Sequence, residues 1–523
     1  MKLNNILSVI AFGSVLFASC GDDFLTVENP TAQPIEEYFT TEDHLNEALA
    51  AAYAPLHWTD WSSDQYAPLL IMSDIMADQI WVGGEDATDN QFWHLMMNYE
   101  ALPTNCLYSL WTCAYSGVKR CNDLIQYTGW TRAAGNIDDA QEASYLQQAR
   151  LLRVYYYSWL WKFWGNVVYY EKNLEDPYLG TQYSADEIYA KMIADLEGAI
   201  AIGALPMRQP DAKAGYVTKA FAYMLYAELV MYQKDEARYG TALGYMEDII
   251  GSTEYDLLPD YGTIFTPAGE WDVESIFEIT YVADGQVRSY DNVLGAGGTI
   301  LPQLIGPYNM AEGGDDHKAG WGFAPVRQET YAMYDASDAR RAATCYDATV
   351  NAYEQRYQDT GYFLEKYQGL QSEYATGDGA PDMRFGNNFR IYRYSETLLN
   401  AAELALTSDP TNAKIWLNKV HNRAGLTDTV DATLANIRNE RKLEFVGEGK
   451  RYWDLIRWGD TPTVLGPDNY GYRTNTWSES KKYLPIPQSE IDAAQGTLKQ
   501  NNYEQPILII KPCVSGKRSG RFI

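Results

Sequence analysis

The sequence has few of the residues from which metal centres and nucleophilic active sites are usually built. Its five histidines are scattered without ligand spacing, and its six cysteines form no CxxC pair. It also contains no GxGxxG, Walker A, HExxH, GxSxG or EF-hand motif. The sequence therefore contains no motif that would indicate a nucleotide-binding protein, a zinc protease or a serine hydrolase. We predict no metal, no cofactor, and buried free thiols for the cysteines after Cys20.

Positive charge is also scarce. The chain has 41 Lys and Arg residues against 70 Asp and Glu, a formal net charge of -29. Such a balance repels phosphate backbones and anionic lipid, so we exclude nucleic acid as a partner. It also weighs against a strongly polyanionic ligand, although a local basic patch could override that.

The N-terminus has the features of a secretory signal. Residues 1–19 contain one lysine, a short apolar run and small residues directly before Cys20. The run is too short to span a membrane comfortably. The stretch 16–20, LFASC, resembles a lipobox, in which the cysteine is acylated and becomes the mature N-terminus. We therefore predict a lipid anchor at Cys20 rather than a membrane span. An ordinary signal peptide that leaves Cys20 free is the alternative.

The rest of the chain indicates one large unit. We find no linker-like composition that would divide it, and 46% hydrophobic residues are ample for a core. We predict a tether over residues 20–40, a single domain over 41–505 and a tail of unassigned function over 506–523.

The periodicity of this domain is mostly helical. Thr41 is a plausible N-cap for the first helix. Further helical patterns cover 108–127, 142–161, 185–202, 217–232 and 242–250. Residues 275–281 and 363–367 are the strand-like stretches. We predict a mainly α fold of tetratricopeptide-like helical repeats stacked as a superhelix, wrapped by irregular loop-rich segments with minor β structure.

Two intervals, 57–111 and 285–325, are rich in loops and combine aromatic rings with amides and carboxylates. Sugar rings have an apolar face for stacking and hydroxyls at their edges, so these residue types suit a glycan site. A single Trp of this kind is also typical of a hydrophobic core. The candidate ligand-binding residues are Trp81, Asp86, Asn90, Trp93, Tyr290, Tyr308 and Trp321.

The stretch 437–459, IRNERKLEFVGEGKRYWDLIRWG, interleaves charge and aromatic residues around two glycines. Arg441 and Glu444 fall at a helical neighbour spacing, so charges can pair along the helix. We interpret the stretch as a packed helix–turn–helix with buried ion pairs. A catalytic carboxylate cluster of Glu440, Glu444 and Glu448 is the alternative, although the cations beside it indicate neutralised groups.

The same stretch resembles the C-terminal hallmark of the RagB/SusD family of Bacteroidetes nutrient-uptake lipoproteins. Residues 393–403, RYSETLLNAAE, 416–426, WLNKVHNRAGL, and 483–492, YLPIPQSEID, resemble neighbouring family motifs in the same order. Asp22 and Asp23 also resemble the signal that sends such lipoproteins to the outer face of the outer membrane.

The resemblance implies a lipid-anchored glycan-binding protein on the cell surface, without catalysis, that delivers oligosaccharide to a TonB-dependent SusC-like transporter. It also implies that the two loop-rich intervals supply the binding surface. A helical glycoside hydrolase using Asp74 and Asp78, or Glu85 and Asp86, is a rival hypothesis. A protein-binding scaffold is another, and the ligand could be a peptide.

Overall fold

A computed structural model describes residues 33–283, 287–311, 315–375 and 379–503. The predicted signal peptide, Cys20 and the predicted C-terminal tail lie outside these ranges. Within them, every helix is too short or too polar to cross a membrane. Cysteines 106, 113, 121 and 345 are buried free thiols, as predicted.

Helices make up most of the regular structure. In chain order they are α1 (Ile35–Tyr38), α2 (Glu42–His57), α3 (Leu69–Asp74), α4 (Gln91–Met97), α5 (Ser109–Ala133), α6 (Asp139–Trp164), α7 (Ala185–Ile202), α8 (Lys219–Gln233), α9 (Tyr239–Gly251), α10 (Leu301–Ile305), α11 (Gln328–Ala332), α12 (Arg340–Thr344), α13 (Tyr394–Leu404), α14 (Pro410–Arg423), α15 (Leu434–Glu444), α16 (Arg451–Trp458), α17 (Thr461–Val464) and α18 (Gln488–Ala493).

The long helices stack one on the next. Helix α5 packs between α2 and α6, and α6 packs on α7. Helix α8 then packs on α9, α9 on α13, and α13 on α14. Successive helix pairs of this kind form a superhelix whose core runs along the stack. The predicted mainly helical, repeat-like fold is confirmed.

Helix boundaries follow from their caps. The Thr41 hydroxyl accepts a hydrogen bond from the main-chain N–H of His44, as predicted for an N-cap. Ser184 and Glu187 form a capping box at the start of α7, and Gly203 ends that helix in the left-handed conformation. Helix α7 therefore has the bounds that its sequence predicts.

Helix α6 is more deeply buried than its sequence indicates. Its periodicity predicts one apolar face, yet every residue from Leu151 to Trp164 is buried. The helix contacts α2, α5, α7 and α8, so neighbours cover it on all sides.

The strands form two-stranded antiparallel sheets. They are β1 (Trp61–Ser62), β2 (Gln65–Tyr66), β3 (Val167–Val168), β4 (Gln182–Tyr183), β5 (Ser275–Ile279), β6 (Cys345–Asp347), β7 (Tyr362–Leu364) and β8 (Phe389–Arg393). They pair as β1 with β2, β3 with β4, β5 with β8 and β6 with β7. The two predicted strand regions therefore correspond to β5 and β7. The short hairpin of β1 and β2 positions Tyr66 at the site described next.

Candidate functional site

The two loop-rich intervals lie side by side. Main-chain hydrogen bonds join them, from Trp81 N to Pro325 O at 2.9 Å, from Ala324 N to the carbonyl of residue 82 at 2.8 Å, and from Gly84 N to Gly322 O at 3.1 Å. This close approach requires glycine, because a Cβ atom on Gly83 would lie 2.2 Å from Gly322 O. We call the paired segments 81–84 and 322–326 the ladder.

Four aromatic side chains gather beside the ladder, and we call them the aromatic surface. They are Tyr66, Tyr290, Tyr308 and Trp321. The Tyr66 and Trp321 ring centroids are 5.4 Å apart, and the buried ring of Trp61 packs beneath both Tyr66 and Tyr290. Tyr290 is 49% exposed. The interval 57–111 thus contributes Tyr66, and the interval 285–325 contributes the other three rings.

Polar groups border these rings. The Tyr290 hydroxyl donates to Asp382 Oδ2 at 2.5 Å. Burial, followed by this contact with a carboxylate, raises the pKa of Tyr290, so its phenol stays protonated. The Arg356 guanidinium lies 3.4 Å from the Tyr308 ring centroid and donates to Trp321 O at 3.2 Å. Rings bordered by a carboxylate and a guanidinium can stack on a sugar face while hydrogen bonding its hydroxyls.

Trp81 and Trp93 do not belong to this surface, which corrects their predicted role. Trp93 is 0% exposed, and its indole N–H donates to Tyr66 O at 2.9 Å. Trp81 is buried with the Arg327 guanidinium 3.5 Å from its ring centroid. Both rings lose their exposed faces because the ladder folds over the core, where large apolar side chains are most stable. Trp93 instead supports Tyr66 from below.

Asp86 and Asn90 lie in the loop between the ladder and α4. Asp86 is exposed and accepts hydrogen bonds from the N–H and hydroxyl of Thr88 at 2.7 and 2.6 Å, which lower its pKa. Asn90 is half-buried, with a φ of 46° just before α4. Ligand binding by these two residues stays a prediction.

Sequence reasoning missed Tyr66, Arg356 and Asp382. Tyr66 lies in the first interval, within the aromatic-rich string WTDWSSDQY, which was a usable signal. Arg356 and Asp382 lie beyond both intervals and reach the site only through the tertiary fold.

The hallmark stretch is a packed corner, as interpreted. Glu444 is buried against Arg340, Arg393 and Arg423, and Glu448 against Arg393 and Lys366. Burial favours a raised pKa for Glu444, but the three arginines outweigh it and hold that pKa well below its usual range. These glutamates are neutralised and are unsuited to acid–base catalysis.

The ion pairs of Arg441 join different elements, although Arg457 and Asp454 pair at 2.8 Å as neighbours along α16. Arg441 pairs with Asp454 on α16 at 2.8 Å and with Glu396 on α13 at 3.6 Å. The predicted pairing of Arg441 with Glu444 along α15 is therefore wrong. Glu444 points instead into the core, where arginines from other parts of the chain meet it.

The first carboxylate pair of the hydrolase hypothesis is not available to a substrate. Asp74 is buried, and burial raises its pKa to about 7. Asp78 is engaged at both oxygens by Arg451, at 2.8 and 3.0 Å. Retaining and inverting glycosidases need two carboxyl groups that both face the scissile bond.

Comparisons with known proteins agree on one family. A sequence model of the SusD family matches residues 231–504. A structure of surface glycan-binding protein A from Bacteroides thetaiotaomicron in complex with laminarihexaose is 56% identical, with a TM-score of 0.85 over 89% of this chain and 100% of that one. Surface glycan-binding protein A from Bacteroides uniformis is 46% identical, with a TM-score of 0.81 over the same shares.

A relative found by sequence comparison is also a SusD-like protein. A SusD-like protein from Bacteroides ovatus is 25% identical over 487 residues, which cover 86% of this chain and 82% of that protein. The two Bacteroides structures are named as surface glycan-binding proteins, and the relative from Bacteroides ovatus as SusD-like. The chain described here belongs to the SusD family.

Proposed function

We propose that this protein is a lipid-anchored, cell-surface glycan-binding protein that captures a neutral oligosaccharide and delivers it to a TonB-dependent SusC-like transporter in the outer membrane. The aromatic surface is the observation that carries the binding part of this proposal. Its rings come from both loop-rich intervals and have polar groups at their edges. Flat rings with hydrogen-bonding neighbours are the chemistry that recognises a pyranose.

The charge around this surface favours a neutral ligand. Asp382 accepts from Tyr290, and the exposed Glu354 accepts from Asn309 at 3.2 Å. Arg356 is the cation that contacts the rings, and it already stacks on Tyr308. With a net charge of -29 on the whole chain, an anionic polysaccharide would be repelled rather than attracted.

Laminarihexaose is the ligand that we propose first. The protein from Bacteroides thetaiotaomicron that binds it is 56% identical to this chain and covers 89% of it. We infer that this chain takes an oligosaccharide of the same kind, since identity at that level extends over nearly the whole fold.

Binding is tested by titration calorimetry of the protein with laminarihexaose, maltohexaose and cellohexaose. We expect heat of binding with laminarihexaose and a weaker or undetectable signal with the other two. If none of these or other neutral glycans binds, while a protein partner is still captured from the membrane fraction, the scaffold hypothesis replaces this one.

An acyl anchor at Cys20 would keep the protein at the membrane, beside the proposed transporter. Cys20→Ala should release the protein from the membrane fraction, whereas Cys513→Ala should leave it there. Retention of the Cys20→Ala protein in that fraction would rule out the lipid anchor.

A further inference from the structure

A separate pocket lies at the other end of the ladder from Trp321. Its volume is about 270 Å³, and it opens between the start of α11 and the loop that follows α17. We call it the arginine pocket. Its walls include Asp78, Trp81, Arg327, Lys442, Tyr470 and Arg473.

Two buried arginines line this pocket without a carboxylate partner. Arg327 is 7% exposed and Arg473 is 1% exposed, and within the described residues neither guanidinium group has a carboxylate oxygen within 4.0 Å. Arg327 donates from Nε to Ile80 O and from Nη2 to Ala77 O, both at 3.2 Å. Arg473 donates from Nε to Met97 O at 2.9 Å and from Nη2 to Ala77 O at 2.7 Å. Neither Nη1 group donates a hydrogen bond to a residue that the structure describes.

These main-chain contacts satisfy some of the guanidinium donors but do not neutralise the positive charges of Arg327 and Arg473. Carbonyls just beyond the C-terminal end of α3 accept from both guanidinium groups. Positive charge is favourable at this position because the C-terminal end of a helix carries a partial negative charge. Neutral carbonyls do not cancel two buried positive charges, and a buried cation without a counterion is costly. Burial, followed by the charge of Arg473, lowers the pKa of Arg327 to about 9.

The carboxylates around the pocket are already engaged. Asp78 is paired with Arg451, and Asp468 accepts from three main-chain N–H groups of its own loop. Glu329 accepts from a tyrosine hydroxyl at 2.9 Å. Lys442, half-buried at the wall, has no ion pair within the described ranges. Arg327, Lys442 and Arg473 therefore have no carboxylate partner among the described residues of the wall, whereas Glu329 and Asp468 accept from neutral donors.

We propose that the arginine pocket binds the carboxylate of a small organic acid, such as a sugar acid. Planar guanidinium groups match a planar carboxylate, and such charge-assisted contacts are among the strongest hydrogen bonds in proteins. The exposed ring of Tyr470 supplies an apolar wall for the rest of the molecule. This site is distinct from the aromatic surface, since the residues that line the pocket do not include Tyr66, Tyr290, Tyr308 or Trp321.

Glucuronate is the probe for a calorimetric titration, and glucose is its neutral match. We expect the protein to bind glucuronate with a millimolar Kd and to show no heat with glucose. Lys442→Gln removes a charge from the wall without disturbing the helix-end contacts, and it should weaken glucuronate binding about fivefold. Lys419→Gln removes a charge outside the pocket, where Lys419 pairs with Asp256, and should leave the Kd unchanged.

Arg327→Lys is the second variant. It keeps the charge but loses the planar fork, so it should weaken glucuronate further than it weakens sulfate. No binding of glucuronate by the unmodified protein, equal binding of glucose, or equal loss in Lys442→Gln and Lys419→Gln would overturn the proposal. Sulfate binding more tightly than glucuronate would overturn the carboxylate assignment. Laminarihexaose should not compete with glucuronate for binding. The test of the arginine pocket and the test of the aromatic surface can therefore fail independently.

Discussion

Tyr66 and Trp321 pack edge to face, with ring centroids 5.4 Å apart and ring planes at 64°. One ring comes from the hairpin of β1 and β2, and the other from the segment that leads into the ladder. Their contact brings the two loop-rich intervals together into one surface, on which Tyr290 and Tyr308 also lie. The pairing of the ladder therefore determines whether the surface exists.

Gly83→Ala should break the ladder. The new Cβ would meet Gly322 O at 2.2 Å, and the φ of +76° disfavours any side chain. We expect a loss of about 3 kcal/mol in the free energy of unfolding, from the clash and the backbone strain together. Urea unfolding of the variant and the unmodified protein measures this loss in the free energy of unfolding.

Gly459→Ala is the matched control for Gly83→Ala. Gly459 has the same φ of +76°, but a Cβ there would have no neighbour within 4 Å. Strain alone should cost about 1 kcal/mol. Equal losses in the two variants would mean that the ladder does not depend on close backbone approach.

Glu444→Gln should be among the most destabilising substitutions in the protein. It leaves Arg340, Arg393 and Arg423 buried with one carboxylate fewer, and breaking such a network costs about 3–5 kcal/mol. Lys119→Met removes an exposed ion pair with Asp123 and should cost less than about 1 kcal/mol. Similar losses in the two variants, measured by urea unfolding, would argue against a central structural role for Glu444.

Asp74 should make the protein less stable as the pH rises from about 4 to about 7. Burial raises its folded pKa from 3.8 to about 7, so between these values the folded state holds a proton that the unfolded state has lost. Stability therefore falls as pH rises through this window, by up to about 4 kcal/mol, and stays lower above it.

Asp74→Asn removes this charge and tests that linkage. Its amide oxygen can still accept from Gly449 N, which lies 3.1 Å from Asp74 Oδ2. We expect a gain of about 1–3 kcal/mol at pH 8.5, less than the full penalty because the amide itself stays buried, and no gain at pH 4. Thermal unfolding at both pH values measures the difference. A gain that is the same at pH 4 and pH 8.5 would contradict the raised pKa.

Local patterns predict the helices well because capping and periodicity are local. Thr41 caps α2 and Ala185–Ile202 forms α7, as their sequences indicate. The same logic fails for Arg441, whose partners lie on α13 and α16, since sequence spacing cannot identify partners from other elements.

The aromatic surface is only partly predictable for the same reason. Its location in the two intervals follows from their composition, and Tyr290, Tyr308 and Trp321 have side chains that are exposed or half-buried there. Trp81 and Trp93 have the same residue type and a similar context but lie in the core. The tertiary packing around the ladder and α4 decides which rings are buried, and sequence composition does not show that packing.

The central claim is that the aromatic surface binds the glycan. Titration of laminarihexaose into Trp321→Ala and Tyr290→Ala tests it most directly, with Tyr178→Ala as the control, since Tyr178 is 69% exposed and lies outside this surface. We predict that each surface variant weakens binding at least about tenfold while Tyr178→Ala binds as the unmodified protein does. Unchanged affinity in folded Trp321→Ala and Tyr290→Ala would contradict the account and move the glycan site elsewhere.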